Sequence, residues 1–244
     1  QATDITDANS LEAAQFTIRD DGTRTHADAL ETILTNLTLS LGNSSNLRRV
    51  ALYDGTIELG EVAAGSSNVF NGLTLSTGTD GGSKTISVRV TFQSMVTDNA
   101  QFQFAVTSAT ADNAGSGFAA AHAGGASSSI TGDDNRIEVV ADRLAFAQNT
   151  TTPTALNAAM SPAVTVSAND INGNPDLDFT EQIRITSSGT LTGSPVDVAA
   201  VSGLATFSTL THTVIGTGLT LNAERTTGGD WDVVSASFDI TAST

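Results

Sequence analysis

The amino-acid sequence predicts an all-β protein, built from two antiparallel β-sandwich domains in tandem. Apolar and polar residues alternate over many short segments, which is the period of strands with one buried face. Clusters of Gly, Asn, Asp and Ser separate these segments, as turns separate the strands of sandwiches. Helix signals are almost absent, and the apolar residues are mostly Val, Leu, Ile and Ala with some Phe, which is typical of sandwich interiors.

The stretch 111–135 is rich in Ala, Gly and Ser and separates segments of different character. We therefore expect one domain at 1–135, a β-sandwich module that carries this stretch as a long loop at its end, pinned by Phe118. A flexible linker is the alternative for the stretch. The second domain, at 136–244, has about 110 residues, which is close to the size of an immunoglobulin domain.

Alternation locates the strands of the first domain. Asp54-Gly55 is a preferred two-residue hairpin loop, because a type I′ turn needs positive φ at both central positions. Closing the hairpin there pairs Val50 with Leu59, apolar against apolar. The strands are predicted near residues 12–19, 33–41, 48–62 (the hairpin), 68–76, 84–92 and 102–106. Their inward-facing residues are Phe16, Ile18, Ile33, Leu37, Leu39, Leu41, Val69, Leu73, Leu75, Ile86, Val88, Val90, Phe92, Phe102, Phe104 and Val106.

The second domain shows the same alternation, most strictly at 161–186, where two strands flank an acidic corner. A tight hairpin around Gly203 is predicted to set Val201 opposite Leu204 and Val198 opposite Phe207. The inward-facing residues are predicted to include Ile137, Val139, Leu144, Phe146, Val164, Val166, Ala168, Leu177, Phe179, Ile183, Ile185, Leu219, Leu221, Val234, Ala236, Phe238 and Ile240.

The formal net charge is −16, and Lys84 is the only lysine. Such a negative field repels phosphate backbones and anionic membranes, so we expect no nucleic-acid partner, whereas cations are favoured. No apolar run approaches the roughly 20 residues that span a bilayer, so we expect no membrane insertion. The chain has no cysteine, so burial rather than disulfides must stabilise it, and its first residues do not resemble a signal peptide.

Acidic and amide side chains alternate across the corner that follows the predicted strand 164–168. Oxygen ligands at such spacing can surround a hard cation, and Ca²⁺ takes about 6–8 of them. The pattern departs from an EF-hand loop, because Gly173 falls early, Pro175 interrupts it and no bidentate Glu follows. A corner in which Asn and Asp cap their own backbone is the alternative. The candidate calcium ligands are Asp170, Asn172, Asn174, Asp176 and Asp178.

Tyr53 and Trp231 are the only tyrosine and tryptophan, and they are the candidate residues for stacking on a carbohydrate or another surface ligand. Structural packing is the alternative for both rings. The chain has no Cys and no Gly-x-Ser-x-Gly motif, so we expect no catalysis. No ligand-spaced pair occurs among the histidines, and we expect surface or loop positions for His26, His122 and His212.

The stretch RLAFAQNTTTPTALNAAMSPAVTVSANDINGNPDLDF resembles the first half of the bacterial immunoglobulin-like repeats of giant surface proteins, and GLATFSTL and GTGLTLNA resemble later strands of those repeats. The first domain, with FTIRDDGTRTHADAL, NLRRVALYDG and ITGDDNRIEV, resembles modules that precede such domains in tandem-repeat, adhesin-like proteins of Bacteroidota. The resemblance implies an immunoglobulin-like second domain and an extracellular location, at the cell surface or in a surface filament. The residues that match the repeats are Leu144, Phe146, Pro162, Val164, Val166, Asp170, Gly173 and Asn174.

The residues and the resemblance together predict a non-catalytic structural repeat or spacer module of a large extracellular surface adhesin or filament. The expected partners are neighbouring copies or adjacent repeat domains of the same protein. The alternative is a β-sandwich module that binds carbohydrate or another surface ligand, which requires a cluster of exposed Tyr53, Trp231 or Asn and Asp side chains. An enzyme would need two facing carboxylates or a metal, and no cofactor is expected apart from the Ca²⁺ of the acidic corner.

Overall fold

The computed structural model describes residues 5–20, 28–118, 135–228 and 231–242. These residues are all-β, with two short three-ten helices, Asp7–Asn9 and Ser44–Asn46, as their only helical segments. Within the same ranges no helix has the length and apolar character needed to cross a membrane. The chain divides into two compact units, one of residues Gln1–Val96 and Ala100–Ile137, the other of Thr97–Asn99 and Glu138–Thr244.

The first unit is built from antiparallel sheets. Its described strands are β1 (Leu11–Arg19), β2 (Glu31–Leu41), β3 (Leu47–Asp54), β4 (Ile57–Ala63), β5 (Ser67–Thr79), β6 (Ser83–Phe92), β7 (Gln101–Phe102), β8 (Phe104–Ala111) and β9 (Asn135–Arg136). One sheet has the order β1-β6-β3-β4 and a second has the order β5-β2-β8, while β7 pairs with β9. All of these pairs are antiparallel.

One apolar core joins the two larger sheets of the first unit. Leu37 and Leu39 of β2 and Ile86 and Val88 of β6 are buried in it, as the period of two predicts. Phe118 packs against the same core, whereas residues 119–134 of the Ala/Gly/Ser stretch lie outside the described residues. The core is completed by Ile18, Leu34, Leu41, Leu47, Val50, Leu52, Phe70, Leu73, Leu75, Val90, Phe102 and Ile137.

The second unit contains shorter strands in several sheets. They are β10 (Arg143–Gln148), β11 (Thr154–Ala155), β12 (Val164–Asn169), β13 (Gln182–Ser187), β14 (Val196–Ala199), β15 (Leu204–Phe207), β16 (Gly216–Leu219), β17 (Leu221–Arg225), β18 (Val233–Val234) and β19 (Phe238–Thr241). The sheet orders are β10-β12-β15, β11-β19-β16 and β14-β13-β17-β18. The pairing of β11 with β19 is parallel, and the other pairs are antiparallel.

The core of the second unit draws on all three of its sheets, and Phe207 and Phe238 are among its largest fully buried side chains. Three residues predicted to face inward, Leu177, Val234 and Ala236, are exposed instead, and Ala236 lies outside a strand. Leu177 lies in a turn rather than in a strand, and Val234 lies on β18, a two-residue strand at a sheet edge. A periodic pattern predicts burial only where a strand and a covering layer are both present.

Two inward-facing predictions in the first unit are wrong by one residue. Leu34 is fully buried while Ile33 is half-buried, and Phe70 is buried while Val69 is exposed. The pairing of β2 with β5 shifts register between Leu34 and Asn36. An extra residue in one strand reverses which parity faces the core, so simple alternation fails on one side of such a bulge.

The predicted hairpin between β3 and β4 forms, but in a different register. Asp54 pairs with Ile57, so that Gly55 takes the first loop position, with φ of +60°. Val50 consequently pairs with Val62 and not with the predicted partner. Both faces of β3 are buried at its centre, so matching apolar residues on one face does not select the register.

The predicted turn at Gly203 also forms, and the pairing of Val201 with Leu204 is confirmed. The second predicted pair is wrong, because Val198 pairs with β13 whereas Phe207 pairs with β12. The chain therefore changes sheets at this turn and does not continue as a hairpin.

Candidate functional site

The corner between β12 and β13 holds the predicted calcium ligands and is organised by the Asp170 carboxylate. Its Oδ1 atom accepts hydrogen bonds from the backbone N–H groups of Asn172 (2.9 Å) and Asn174 (2.8 Å). Its Oδ2 atom accepts from the side-chain amides of the same two residues, at 3.3 and 2.9 Å. Gly173 adopts φ of +88°, which only glycine does without strain. Asp170 therefore caps the turn that the local sequence favours.

The same contacts determine the charge of the corner. Partial burial raises the pKa of Asp170, but the hydrogen bonds donated by Asn174 and Asn172 outweigh burial and hold the pKa below its ordinary range. The carboxylate is thus charged at neutral pH, with both of its oxygens engaged by protein donors.

Asp176 and Asp178 have their own partners. The Oδ2 atom of Asp176 accepts from the Ala141 N–H group and its Oδ1 atom from the Asp178 N–H group, both at 3.0 Å. The Asp178 carboxylate accepts from the Asn99 side-chain amide at 3.3 Å. In the described ranges no group of three or more His, Cys, Asp or Glu side chains is suited to hold a metal ion. Calcium binding stays a prediction, and an ion at Asp170 would have to replace protein donors.

Tyr53, a candidate for ligand stacking, is only 3% exposed. Its ring packs with Ile5 and Ala51, and its hydroxyl donates a hydrogen bond to the Ile5 carbonyl at 3.3 Å. The Arg89 guanidinium lies 5.7 Å from the ring centroid. Stacking on a sugar needs an open ring face, so the structure favours the alternative for this residue, structural packing.

Trp231, the other candidate, is half-buried in the second unit. Its ring stacks on Phe179, with centroids 5.8 Å apart and an angle of 26° between the planes. The Arg225 guanidinium lies 4.0 Å from the Trp231 centroid, within the range of a cation–π contact. Tyr53 and Trp231 belong to different units, so neither unit contains a pair of these rings.

His212 is a buried polar residue that sequence reasoning placed on the surface. It is 1% exposed, and its Nε2 atom lies 2.8 Å from the Ser187 hydroxyl. Burial lowers the pKa of His212. Its buried Nδ1 atom has no hydrogen-bond partner among the described residues, so within them the pair lacks the carboxylate that orients the imidazole in a hydrolytic triad. His26 and His122 lie outside the described residues.

A structural feature that the sequence did not reveal is the parallel pairing of the last strand with a strand near the start of the second unit. Thr154 of β11 is paired with Ile240 of β19, and Ala155 with Thr241. The Leu156 N–H group continues the pairing by donating to the Thr241 carbonyl at 2.8 Å.

Side chains extend this pairing toward the start of the unit. The Ala236 N–H group donates to Asn149 Oδ1 at 2.9 Å, and the Thr150 hydroxyl donates to the Ala236 carbonyl at 3.1 Å. The Asp239 N–H group donates to the Thr152 hydroxyl at 3.0 Å. No local signal separates these Asn and Thr residues from ordinary loop residues. We call the pairing of residues 149–156 with residues 236–241 the terminal ladder.

Comparisons with known proteins do not assign a family. No family model matches the chain, and no curated protein matches it. The apo structure of β-glucuronidase 3 from Bacteroides uniformis is similar at 11% identity and a TM-score of 0.32, over 82% of this chain and 24% of that one. A β-glycosidase from Bacteroides vulgatus is similar at 10% identity and a TM-score of 0.26, over 81% of this chain and 24% of that one. The chain spans about a quarter of each structure, and we draw no argument from similarities this low.

Proposed function

We propose that this chain is a non-catalytic spacer module of a large extracellular surface adhesin or filament. In this proposal each unit is a β-sandwich, the second of them immunoglobulin-like. The module is displayed at the cell surface or in a surface filament, and its partners are neighbouring copies or adjacent repeat domains of the same protein. Its task is to stay folded while the chain is under tension.

The terminal ladder is the observation that carries this proposal. Because β11 and β19 are parallel, force applied to the two ends of the second unit pulls these strands past each other along their length. The hydrogen bonds between them then bear the force together, whereas an antiparallel pair pulled open from one end loses its bonds one after another. A module that must resist tension benefits from the parallel arrangement, in which the bonds share the force.

The use of polar side chains within the fold supports the same proposal. The Asp170 carboxylate caps its own turn, Tyr53 is buried, and Trp231 is engaged by Phe179 and Arg225. A ligand-binding module would instead present such groups to solvent. The polar and aromatic residues singled out in the sequence thus serve folding.

The repeat-like motif supports the extracellular setting. Its apolar residues form the pairing of β10 with β12, in which Leu144 lies opposite Ala168 and Phe146 opposite Val166. Leu144, Ala168 and Val166 are buried in the core of the second unit, and Phe146 packs against it. The residues that carry the resemblance to surface-protein repeats are therefore those that build the unit.

Single-molecule pulling on the full chain tests the proposal. The double variant Asn149→Ala and Thr152→Val removes two side-chain bonds of the terminal ladder. We expect the second unit to unfold at a clearly lower force in this variant. Loss of each bond should lower the free energy of unfolding by only about 1 kcal/mol, because the freed groups are near solvent.

Thr226→Val is the matched control, since the Thr226 hydroxyl donates to the Gln182 carbonyl at 3.2 Å, outside the terminal ladder. Its unfolding force should stay close to that of the unmodified chain. If the double variant and the control unfold at the same force, or if the unmodified chain extends without a cooperative event, the spacer proposal is wrong. Saturable binding of a glycan would favour the ligand-binding alternative.

A further inference from the structure

Three residues between β6 and β7 belong to the second unit although the sequence on both sides of them belongs to the first. We call residues Thr97–Asn99 the strap. Val96 before the strap and Ala100 after it pack against the core of the first unit. Asn99 takes φ of +62°, a left-handed conformation that Asn tolerates better than most residues and that turns the chain back.

The strap contributes a buried carboxylate to the second unit. Asp98 is 2% exposed, and its Oδ1 atom accepts a hydrogen bond from the Val139 N–H group at 2.7 Å. Its Oδ2 atom accepts from the Leu177 N–H group at 2.8 Å and from the Asn99 side-chain amide at 3.2 Å. One side chain therefore joins the start of the second unit to its acidic corner.

The segment that receives this carboxylate precedes β10 and is not part of a strand. Val139 and Ala141 are nonetheless buried, and their N–H groups donate to the carboxylates of Asp98 and Asp176. A buried N–H group without an acceptor is costly, so side-chain oxygens here replace the carbonyls that a neighbouring strand would supply. Asp176 comes from the second unit's own continuous sequence, whereas Asp98 does not.

We propose that the strap is a conformational device on which the fold of the second unit depends. Asp98 holds the segment 138–142 and the corner at Leu177 in their native arrangement. A second unit defined by its continuous sequence alone, from residue 138 onward, is therefore incomplete, because one of its structural elements is supplied from between β6 and β7. This goes beyond the spacer function and does not depend on it.

Hydrogen exchange of individual backbone amides in the full chain tests the strap. Asp98→Ala removes both accepting oxygens, and we expect the Val139 and Leu177 amides to exchange at least about tenfold faster than in the unmodified chain. Amides of the first unit, such as those of Leu39 and Val88, should keep their rates. If Asp98 did not hold these segments, its removal would not speed exchange at only these two amides and the segments that carry them.

Asp142→Asn is the matched control, since it removes a carboxylate from an exposed position on the same segment. It should leave the Val139 and Leu177 amides protected. If Asp98→Ala fails to fold, Asp98→Asn keeps one accepting oxygen, and we expect it to speed exchange at one of the two amides. Unchanged exchange at both amides in every folded Asp98 variant would overturn the proposal.

Discussion

The carboxylates of Asp170 and Asp98 both accept backbone hydrogen bonds in the second unit, but from donors at very different distances along the chain. Each carboxylate is hydrogen-bonded to two backbone N–H groups. The donors to Asp170 come from two and four residues away, whereas those to Asp98 come from 41 and 79 residues away. Asp170 is partly exposed, and Asp98 is buried.

Asp170 therefore stabilises a local turn, whereas Asp98 stabilises the tertiary structure. Asp170 stabilises a local conformation that its neighbours already favour, and water can replace it where the turn is exposed. Asp98 satisfies the buried Val139 N–H group and the part-buried Leu177 N–H group, and it does so only after distant segments have come together. The consequences of losing the two carboxylates should therefore differ in size and in extent.

The largest effect is expected from removing the distant carboxylate. Asp98→Ala should lower the free energy of unfolding of the second unit by about 2–5 kcal/mol, because two donors lose a buried acceptor. Asp170→Ala should cost about 1–2 kcal/mol, as loss of a capping side chain does. Fluorescence of Trp231, the only tryptophan, follows denaturant unfolding of this unit. Equal losses of unfolding free energy in the two variants would show that the distant carboxylate matters no more than the local one.

The next effect concerns a second long-range contact with the corner. A Cβ atom on Gly203 would lie 2.2 Å from the Asp176 carbonyl oxygen, and Gly203 has φ of +75°. Gly203→Ala should therefore destabilise the second unit by about 2–4 kcal/mol in the same denaturant experiment.

Gly193→Ala isolates the steric part of that loss. Gly193 has a similar φ, +69°, but no atom of the described residues lies within 4 Å of the position that an added Cβ would take. Gly193→Ala should lower the free energy of unfolding only by the backbone strain of a positive φ, about 1 kcal/mol. If the two alanine variants are equally stable, the close approach at Asp176 does not constrain the corner.

A smaller effect should appear as a pH dependence. Burial lowers the pKa of His212, so between its ordinary value of 6.5 and the lower folded value the unfolded chain binds more protons than the folded one. Stability should be complete above pH 6.5 and should fall as the pH drops toward the folded pKa. Denaturant titrations at several pH values measure this fall in the free energy of unfolding, and His212→Gln should abolish it. If the fall is unchanged by the substitution, another group causes it.

Asp170 acts in a separate pH window. Its pKa is held below the ordinary value of 3.8, so its contribution persists at pH values above that value and is lost as the pH falls further toward the folded pKa.

The smallest effect is expected from Ca²⁺. Because protein donors already occupy both oxygens of Asp170, millimolar Ca²⁺ should change the Tm by less than about 1 °C relative to excess chelator. A rise of several degrees that is lost in Asp176→Ala would instead establish the predicted calcium site.

Much of the strand content was readable because burial on one face leaves a period of two in the sequence. Ile86, Val88 and Val90 of β6 and Val164 and Val166 of β12 are buried as predicted. The pattern failed where a bulge changed the parity of β2, and where both faces of β3 were covered. Neither a bulge nor an outer covering layer changes the local composition enough to be recognised.

The candidate site was readable only in part, for a related reason. The turn at Asp170 was visible because its donors are close neighbours in the sequence. The burial of Tyr53 depends on Ile5, which packs against it from a remote part of the chain, and the burial of His212 depends equally on tertiary packing. Single aromatic and histidine residues carry no periodic signal, so sequence reasoning had only general preferences to use for them.

Alternation and turn chemistry act between near neighbours in the chain, so the all-β class, most of the inward-facing residues and the positions of the sharp turns could be predicted from the sequence. The strand registers, the change of sheets after Gly203, the terminal ladder and the place of Asp98 in the second unit could not be predicted in this way. These features depend on hydrogen bonds between residues far apart in the chain, and such bonds form only after the apolar faces have packed and excluded water.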